Sequence, residues 1–207
     1  MNRRITILFQ GDSITDGNRG RTPDPNHIMG HGFAFGIASQ FGVKYPEKFE
    51  FINKANSGDN VLKLLARWKQ DAVSLNPDWV NILVGTNDIN VENHPVRFET
   101  VYRMLLDDLP NSRFILCEPF RFRHNEDDSI WKIRSDLLWT YQQIVRKIAA
   151  DYHAIFIPLQ NVFEEAFRRV SQSYWIWDGI HPTVAGHGLI TLAWLRTAEE
   201  ILMKDRK

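Results

Sequence analysis

The chain has 207 residues, of which 43% are apolar and 24% charged, and its 25 Lys+Arg balance its 25 Asp+Glu to a net charge of zero. That length and balance fit one globular domain over residues 1–207 and argue against disorder. A neutral chain offers no electrostatic case for nucleic acid as a partner, and no stretch approaches the roughly 20 apolar residues of a membrane span.

From the N-terminus, Arg3 and Arg4 precede a short apolar run, Ile5–Phe9. The run is too short for a signal-peptide core, so a soluble, cytoplasmic protein is expected. It reads as a first strand and leads at once into Gly11-Asp12-Ser13. Asn18–Gly32, rich in Gly, Pro and His, reads as a loop. Phe49–Ile52 is a second strand, followed by the turn sequence Asn56–Asn60. Val61, Leu64, Leu65, Trp68 and Ala72 then share one face at helical spacing. A third strand, Trp79–Val84, ends in Gly85-Thr86-Asn87-Asp88, and Phe98, Val101, Leu105 and Leu109 repeat the helical pattern.

Phe114–Cys117 reads as a fourth strand, with the single cysteine, Cys117, as a core thiol. The polar stretch Arg121–Ser129 is a loop. Leu137, Leu138, Tyr141, Ile144, Val145 and Ile148 mark a helix, Ala154–Ile157 a fifth strand, and Phe163–Val170 and Ala185–Met203 the last helices. Strand and helix in alternation predict an α/β fold, a parallel sheet with helices on both faces. No linker or internal repeat interrupts it.

Open parallel sheets bind ligands beyond the carboxyl ends of their strands. The segments after the first three strands fall on that rim, and the C-terminal Trp177-Asp178-Gly179-Ile180-His181-Pro182 can fold back to join them. Together they hold the parts of an ester-hydrolysing site. Ser13 is a candidate nucleophile and His181 its base. Asp178, three residues earlier, can take the Nδ1 proton and leave Nε2 facing Ser13. The N–H groups of Ser13 and Gly58 and the side-chain amide of Asn87 are candidate oxyanion donors. Taken singly, each is ordinary turn or cap chemistry; their joint placement on one rim points to catalysis.

Other chemistries lack their signatures. There is no G-x-x-x-x-G-K-[ST] loop, no H-E-x-x-H and no G-x-S-x-G elbow. His27, His31, Asp12, Asp16 and His181 do not follow metal-ligand spacing, so no metal site is expected. Asp12 and Asp16 read instead as groups ordering the nucleophile turn, and His27, His31 and His187 as loop-lining or capping residues.

Gly11-Asp12-Ser13, Gly58, Gly85-Thr86-Asn87-Asp88 and Asp178-x-x-His181, in that order over residues 11–181, resemble the SGNH hydrolases, also called GDSL esterases. The resemblance implies a flavodoxin-like three-layer α/β/α sandwich on a five-stranded parallel sheet. It implies a serine ester hydrolase without metal or other cofactor, with Ser13, Asp178 and His181 as the triad and Ser13, Gly58 and Asn87 forming the oxyanion hole. Two positions depart from the pattern: Ile14 stands where the family name has leucine, and Asn60 where a second glycine is common.

Arg67–Asp71, Asn76–Ile89 and Trp177–His187 are similar to the acetylxylan esterase branch of carbohydrate acetylesterases. That likeness implies an oligosaccharide ester or other small ester as substrate, with Asp12, Trp177 and Ile180 as candidate contacts. Trp131, Trp175 and Phe120 are further aromatics placed to stack on sugar or hold a short acyl chain, although core packing would use the same residues. A lysophospholipase or thioesterase for longer acyl chains is the alternative, followed by an inactive carbohydrate-binding relative. The aromatic C-terminal half would also suit the surface of a homo-oligomer.

Overall fold

A computed structural model describes residues 3–90, 94–124 and 129–204. Its elements in chain order are β1 Ile5–Gly11, α1 Ser13–Asp16, α2 Phe33–Lys44, β2 Phe49–Asn53, α3 Val61–Asp71, β3 Trp79–Leu83, α4 Pro95–Asp107, β4 Arg113–Cys117, α5 Trp131–Asp151, β5 Ile155–Ile157, α6 Leu159–Phe167, α7 Gln172–Trp175 and α8 Val184–Lys204. The expected loop over Arg121–Ser129 falls partly on residues 125–128, outside the described ones.

The five strands form one all-parallel sheet in the order β2-β1-β3-β4-β5, the flavodoxin-like order. Side chains alternate across it. Ile7 and Phe9 face a layer built from α2, α6 and α8, where Phe33, Phe41, Phe163 and Trp194 pack. Leu8, Val80 and Ile82 face the opposite layer, built from α3, α4 and α5 around Trp68, Phe98, Tyr102 and Tyr141. With both faces covered, the strands read as continuous apolar runs, the usual signature of a parallel sheet. The sandwich expected from the sequence is therefore the one observed.

The one-turn α1 and α7, together with α2, lie outside the helices the spacing predicts, and α6 has different bounds. The periodicity does not predict α2: Phe33, Ala34, Ile37 and Phe41 are its buried face, but Gly36, Gly42 and the half-exposed Phe35 blur the pattern. α6 begins at Leu159, directly after Pro158 at the N-cap, and ends before the exposed Val170. Proline fixes a backbone angle compatible with a helix start, so the helix opens four residues earlier than Phe163 suggests.

Cys117 is buried, its thiol donating to Asn81 Oδ1 at 3.4 Å. Burial pushes the Cys117 pKa well up, opposed only by that bond, so the thiol stays protonated. None of the helices among the described residues is long and apolar enough to cross a membrane.

The chain runs from β1 outward to β2 on one side, then returns to place β3 on the other side of β1. The carboxyl ends of β1 and β3 thus flank the switch point where such sheets hold ligands. A cleft of about 560 Å³ lined by Trp79, Arg113, Phe114 and Ile155 lies at the opposite end of the sheet, where β3, β4 and β5 begin.

Candidate active site

Gly11 closes β1 with φ 153°, and a Cβ there would lie 2.3 Å from the Leu83 carbonyl oxygen of neighbouring β3. Only glycine passes this point. Asp12 is the N-cap of α1, its Oδ1 accepting from the Ile14 N–H at 3.0 Å. The turn closes at Gly17, whose N–H donates to the Ser13 carbonyl at 3.0 Å. Ser13 is thereby held as the first residue of a one-turn helix at the sheet's switch point.

Its hydroxyl meets the C-terminal loop, with Oγ 2.9 Å from His181 Nε2. His181 Nδ1 lies 2.6 Å from Asp178 Oδ2, and Asp178 Oδ1 accepts from the N–H groups of Ile180 at 2.9 Å and His181 at 2.7 Å. Burial pushes the Asp178 pKa up, but these bonds and the His181 ring outweigh it and hold the carboxyl below its usual value. An ionised Asp178 only accepts, so Nδ1 carries the ring proton and Nε2 is left to accept from Ser13. Ser13, His181 and Asp178 form one hydrogen-bonded chain across 168 positions of sequence.

The loop carrying this pair is fixed by its surroundings. Ile176 and Pro182 form an antiparallel bridge, and the Thr183 N–H donates to the Trp175 carbonyl at 2.8 Å. Gly179 adopts φ 82°, and a Cβ there would come 2.4 Å from the Phe122 carbonyl. The Phe122 N–H donates back to Gly179 at 2.8 Å.

The candidate oxyanion donors follow β2 and β3, the two strands beside β1. Gly58 is exposed at φ 79° with open space where a Cβ would stand, so conformation rather than crowding calls for glycine. Asn87 is half-buried and spends one amide hydrogen on the Asp59 carbonyl at 2.9 Å, leaving the second for a ligand. Asn60, where the family pattern often has glycine, caps α3 by accepting from the Lys63 N–H at 3.0 Å.

The candidate substrate contacts fare differently. Trp177 is 61% exposed and stacks on His181 with ring centroids 6.3 Å apart. Ile180 is half-buried against the core, and its backbone N–H donates to Asp178 Oδ1. Asp12 is 1% exposed, beneath the surface rather than on it. Burial pushes its pKa up to about 7, against the opposing Ile14 N–H and His181 charge. Trp175 and Phe120 are buried and belong to the core, which removes them as sugar platforms.

Several supporting groups were not assigned contacts from sequence. Asp16 accepts from the Ser57 N–H at 2.9 Å and pairs with Arg21 at 2.8 Å, tying the Ser13 turn to the Gly58 loop. Its placement four residues after Asp12 signalled a role in the turn but not its partner. His187 Nδ1 accepts from the Phe33 N–H at 3.2 Å, a cap for a helix the periodicity did not announce. Burial, with the His181 charge, pushes the His187 pKa down to about 4, so its ring is neutral at ordinary pH. Among the described residues, no group of three or more His, Cys, Asp or Glu is arranged to hold a metal.

Comparison with known proteins extends the resemblance. The profile of the GDSL-like lipase/acylhydrolase family matches residues 9–189. The chain is 32% identical over 205 residues to an acetylxylan esterase of Geobacillus stearothermophilus, covering 92% of each. The solved structure of that bacterium's acetylxylan esterase Axe2 superposes with a TM-score of 0.81 at 31% identity over 93% of both chains. A candidate GDSL-like lipase from Parabacteroides merdae superposes at 0.88 with 30% identity over 96% of this chain and 97% of its own. Two further Axe2 structures are described as catalytic mutants, one altered at a serine and one at an aspartate.

Proposed function

This chain belongs to the GDSL-like lipase/acylhydrolase family and is a carboxylic ester hydrolase, and from that premise we propose that residues 1–207 act as one domain removing acetyl groups from a carbohydrate, such as xylan fragments, through an acyl-Ser13 intermediate. The observation that carries the mechanism is the unbroken hydrogen-bonded chain Asp178–His181–Ser13. Ser13 Oγ forms a bond to the ester carbonyl carbon as its proton passes to His181 Nε2. The resulting oxyanion is stabilised by the N–H groups of Ser13 and Gly58 and the Asn87 amide. The carbon–oxygen bond to the alcohol then breaks, and His181 protonates the departing oxygen. Water attacks the acyl-Ser13, giving its proton to His181, and the acid leaves as Ser13 recovers the proton. Asp178 orients the imidazole and balances its transient charge.

The sugar assignment draws on the acetylxylan esterase relatives and on Trp177, an exposed ring face beside His181. The test compares p-nitrophenyl acetate, butyrate and octanoate hydrolysis, with acetate release from acetylated xylo-oligosaccharide assayed alongside. Acetate preference, sugar deacetylation and a folded Ser13→Ala variant reduced by about 10⁴-fold or more support the reading. Octanoate preference without deacetylation would assign a longer-chain acylhydrolase instead. Full activity in Ser13→Ala would remove Ser13 as nucleophile.

A further inference from the structure

Gly58 is exposed, and no neighbouring atom packs where its Cβ would be. Its carbonyl accepts from the exposed Lys63 Nζ at 3.1 Å, and the buried part of its support comes from its flanking residues. On one side Ser57 is held by Asp16. On the other, Asp59 is 7% exposed and anchored three ways. Its N–H donates to the Asn56 carbonyl at 3.2 Å, its own carbonyl accepts the Asn87 amide at 2.9 Å, and its carboxylate accepts Arg67 Nε at 2.7 Å. One residue thus touches both loops that present side-of-sheet donors to the rim.

Arg67, on α3, refers that residue to the sheet. Its Nη1 donates to Gln10 Oε1 in β1 at 2.9 Å and to the Lys54 carbonyl just beyond β2 at 2.6 Å. Asp71 accepts from the same nitrogen at 3.3 Å, and its carbonyl accepts from Gln10 Nε2 at 2.7 Å. The side chains of Arg67 and Asp59 are 15% and 9% exposed. A planar guanidinium can hold these acceptors at fixed angles, whereas an ammonium cannot.

We propose, resting on the assignment of Gly58 and Asn87 as oxyanion donors, that Arg67 is a positioning residue for transition-state stabilisation: acting through Asp59, it registers the Gly58 N–H and the Asn87 amide against the end of β1 where Ser13 stands. Oxyanion donors act through preorganisation, so a displacement of about 1 Å at the donors is reflected mainly in kcat.

The experiment measures kcat and KM on p-nitrophenyl acetate for Arg67→Met, Arg67→Lys, Asp59→Asn, Asn87→Ala and the Arg67→Met/Asn87→Ala double variant, each with a urea melt to establish the folded fraction. Arg67→Met should lose roughly 10- to 100-fold in kcat with little change in KM, and Arg67→Lys should recover part of it. Arg67→Met should cost less in the Asn87→Ala background than alone, because one of the positioned donors is already gone. If Arg67→Met does not fold, Arg67→Lys and Asp59→Asn carry the same comparison. Folded variants with wild-type kcat, losses confined to KM, or a loss that multiplies fully with Asn87→Ala would each overturn the proposal. Asn87→Ala at wild-type kcat would instead overturn the oxyanion assignment itself; Asn87→Ala impaired beside normal Arg67 and Asp59 variants would overturn only the positioning role.

Discussion

The Asp16 carboxylate accepts a 2.9 Å hydrogen bond from the Ser57 N–H, so the turn that carries Ser13 and the loop that carries Gly58 are joined directly. Asp16 is 2% exposed and also receives Arg21 and the Arg19 N–H. Burial pushes its pKa up, but these donors outweigh that and leave it below the ordinary value. Asp16→Ala removes the buried acceptor of the Ser57 and Arg19 N–H groups and leaves part of the arginine charge unpaired. It should destabilise the protein by about 1–3 kcal/mol and lower kcat in the fraction that stays folded. A urea melt with kcat on the folded fraction checks both; unchanged stability and rate would reduce the contact to a surface accident.

Asn87→Ala isolates the amide donor. The oxyanion forms only after attack, so kcat should fall by roughly 10²–10³ with KM little changed. Steady-state kinetics on p-nitrophenyl acetate decide it, and an effect confined to KM would place Asn87 in substrate binding.

Asp12 gives a pH-dependent stability of definite sign. Its Oδ2 is buried without a hydrogen-bond partner, and its pKa rises from 3.8 to about 7. In that interval the folded protein keeps a proton the unfolded chain has released, so this group's contribution to stability falls as pH rises and levels off above the folded pKa. Asp12→Asn can keep the cap to Ile14 but cannot ionise. It should match wild type near pH 4 and be more stable on the order of 2–4 kcal/mol at pH 8. Urea melts at the two pH values test this; an unchanged difference between them would mean Asp12 ionises normally.

Trp177 tests the sugar platform. Trp177→Ala should shift kcat/KM for acetylated xylo-oligosaccharide relative to p-nitrophenyl acetate by about 2- to 10-fold against the sugar, the worth of one aromatic face. An equal loss on both substrates would assign Trp177 to supporting His181.

Much of this was legible because it is local. Apolar runs and helical spacing depend on neighbours a few residues away, so five strands and most of the long helices could be placed before any contact was known. Gly11-Asp12-Ser13, Gly85-Thr86-Asn87-Asp88 and Asp178-x-x-His181 were visible as chemistry for the same reason: each is a short turn whose residue types mean something without the rest of the chain. Where local signals are diluted, as by the glycines of α2, the apolar spacing does not mark the element.

What the tertiary structure alone decided is which distant groups meet, and which side chains are shut away from water. The sheet order sets β2 and β3 on either side of β1, and that adjacency brings Asp16 to Ser57 and lets Arg67 reach Gln10. It also buries Asp12, Trp175 and Phe120 while leaving Trp177 in the open. Burial is a property of the packed layers and not of residue type, and long-range pairing follows strand order; neither is written in any short window of sequence.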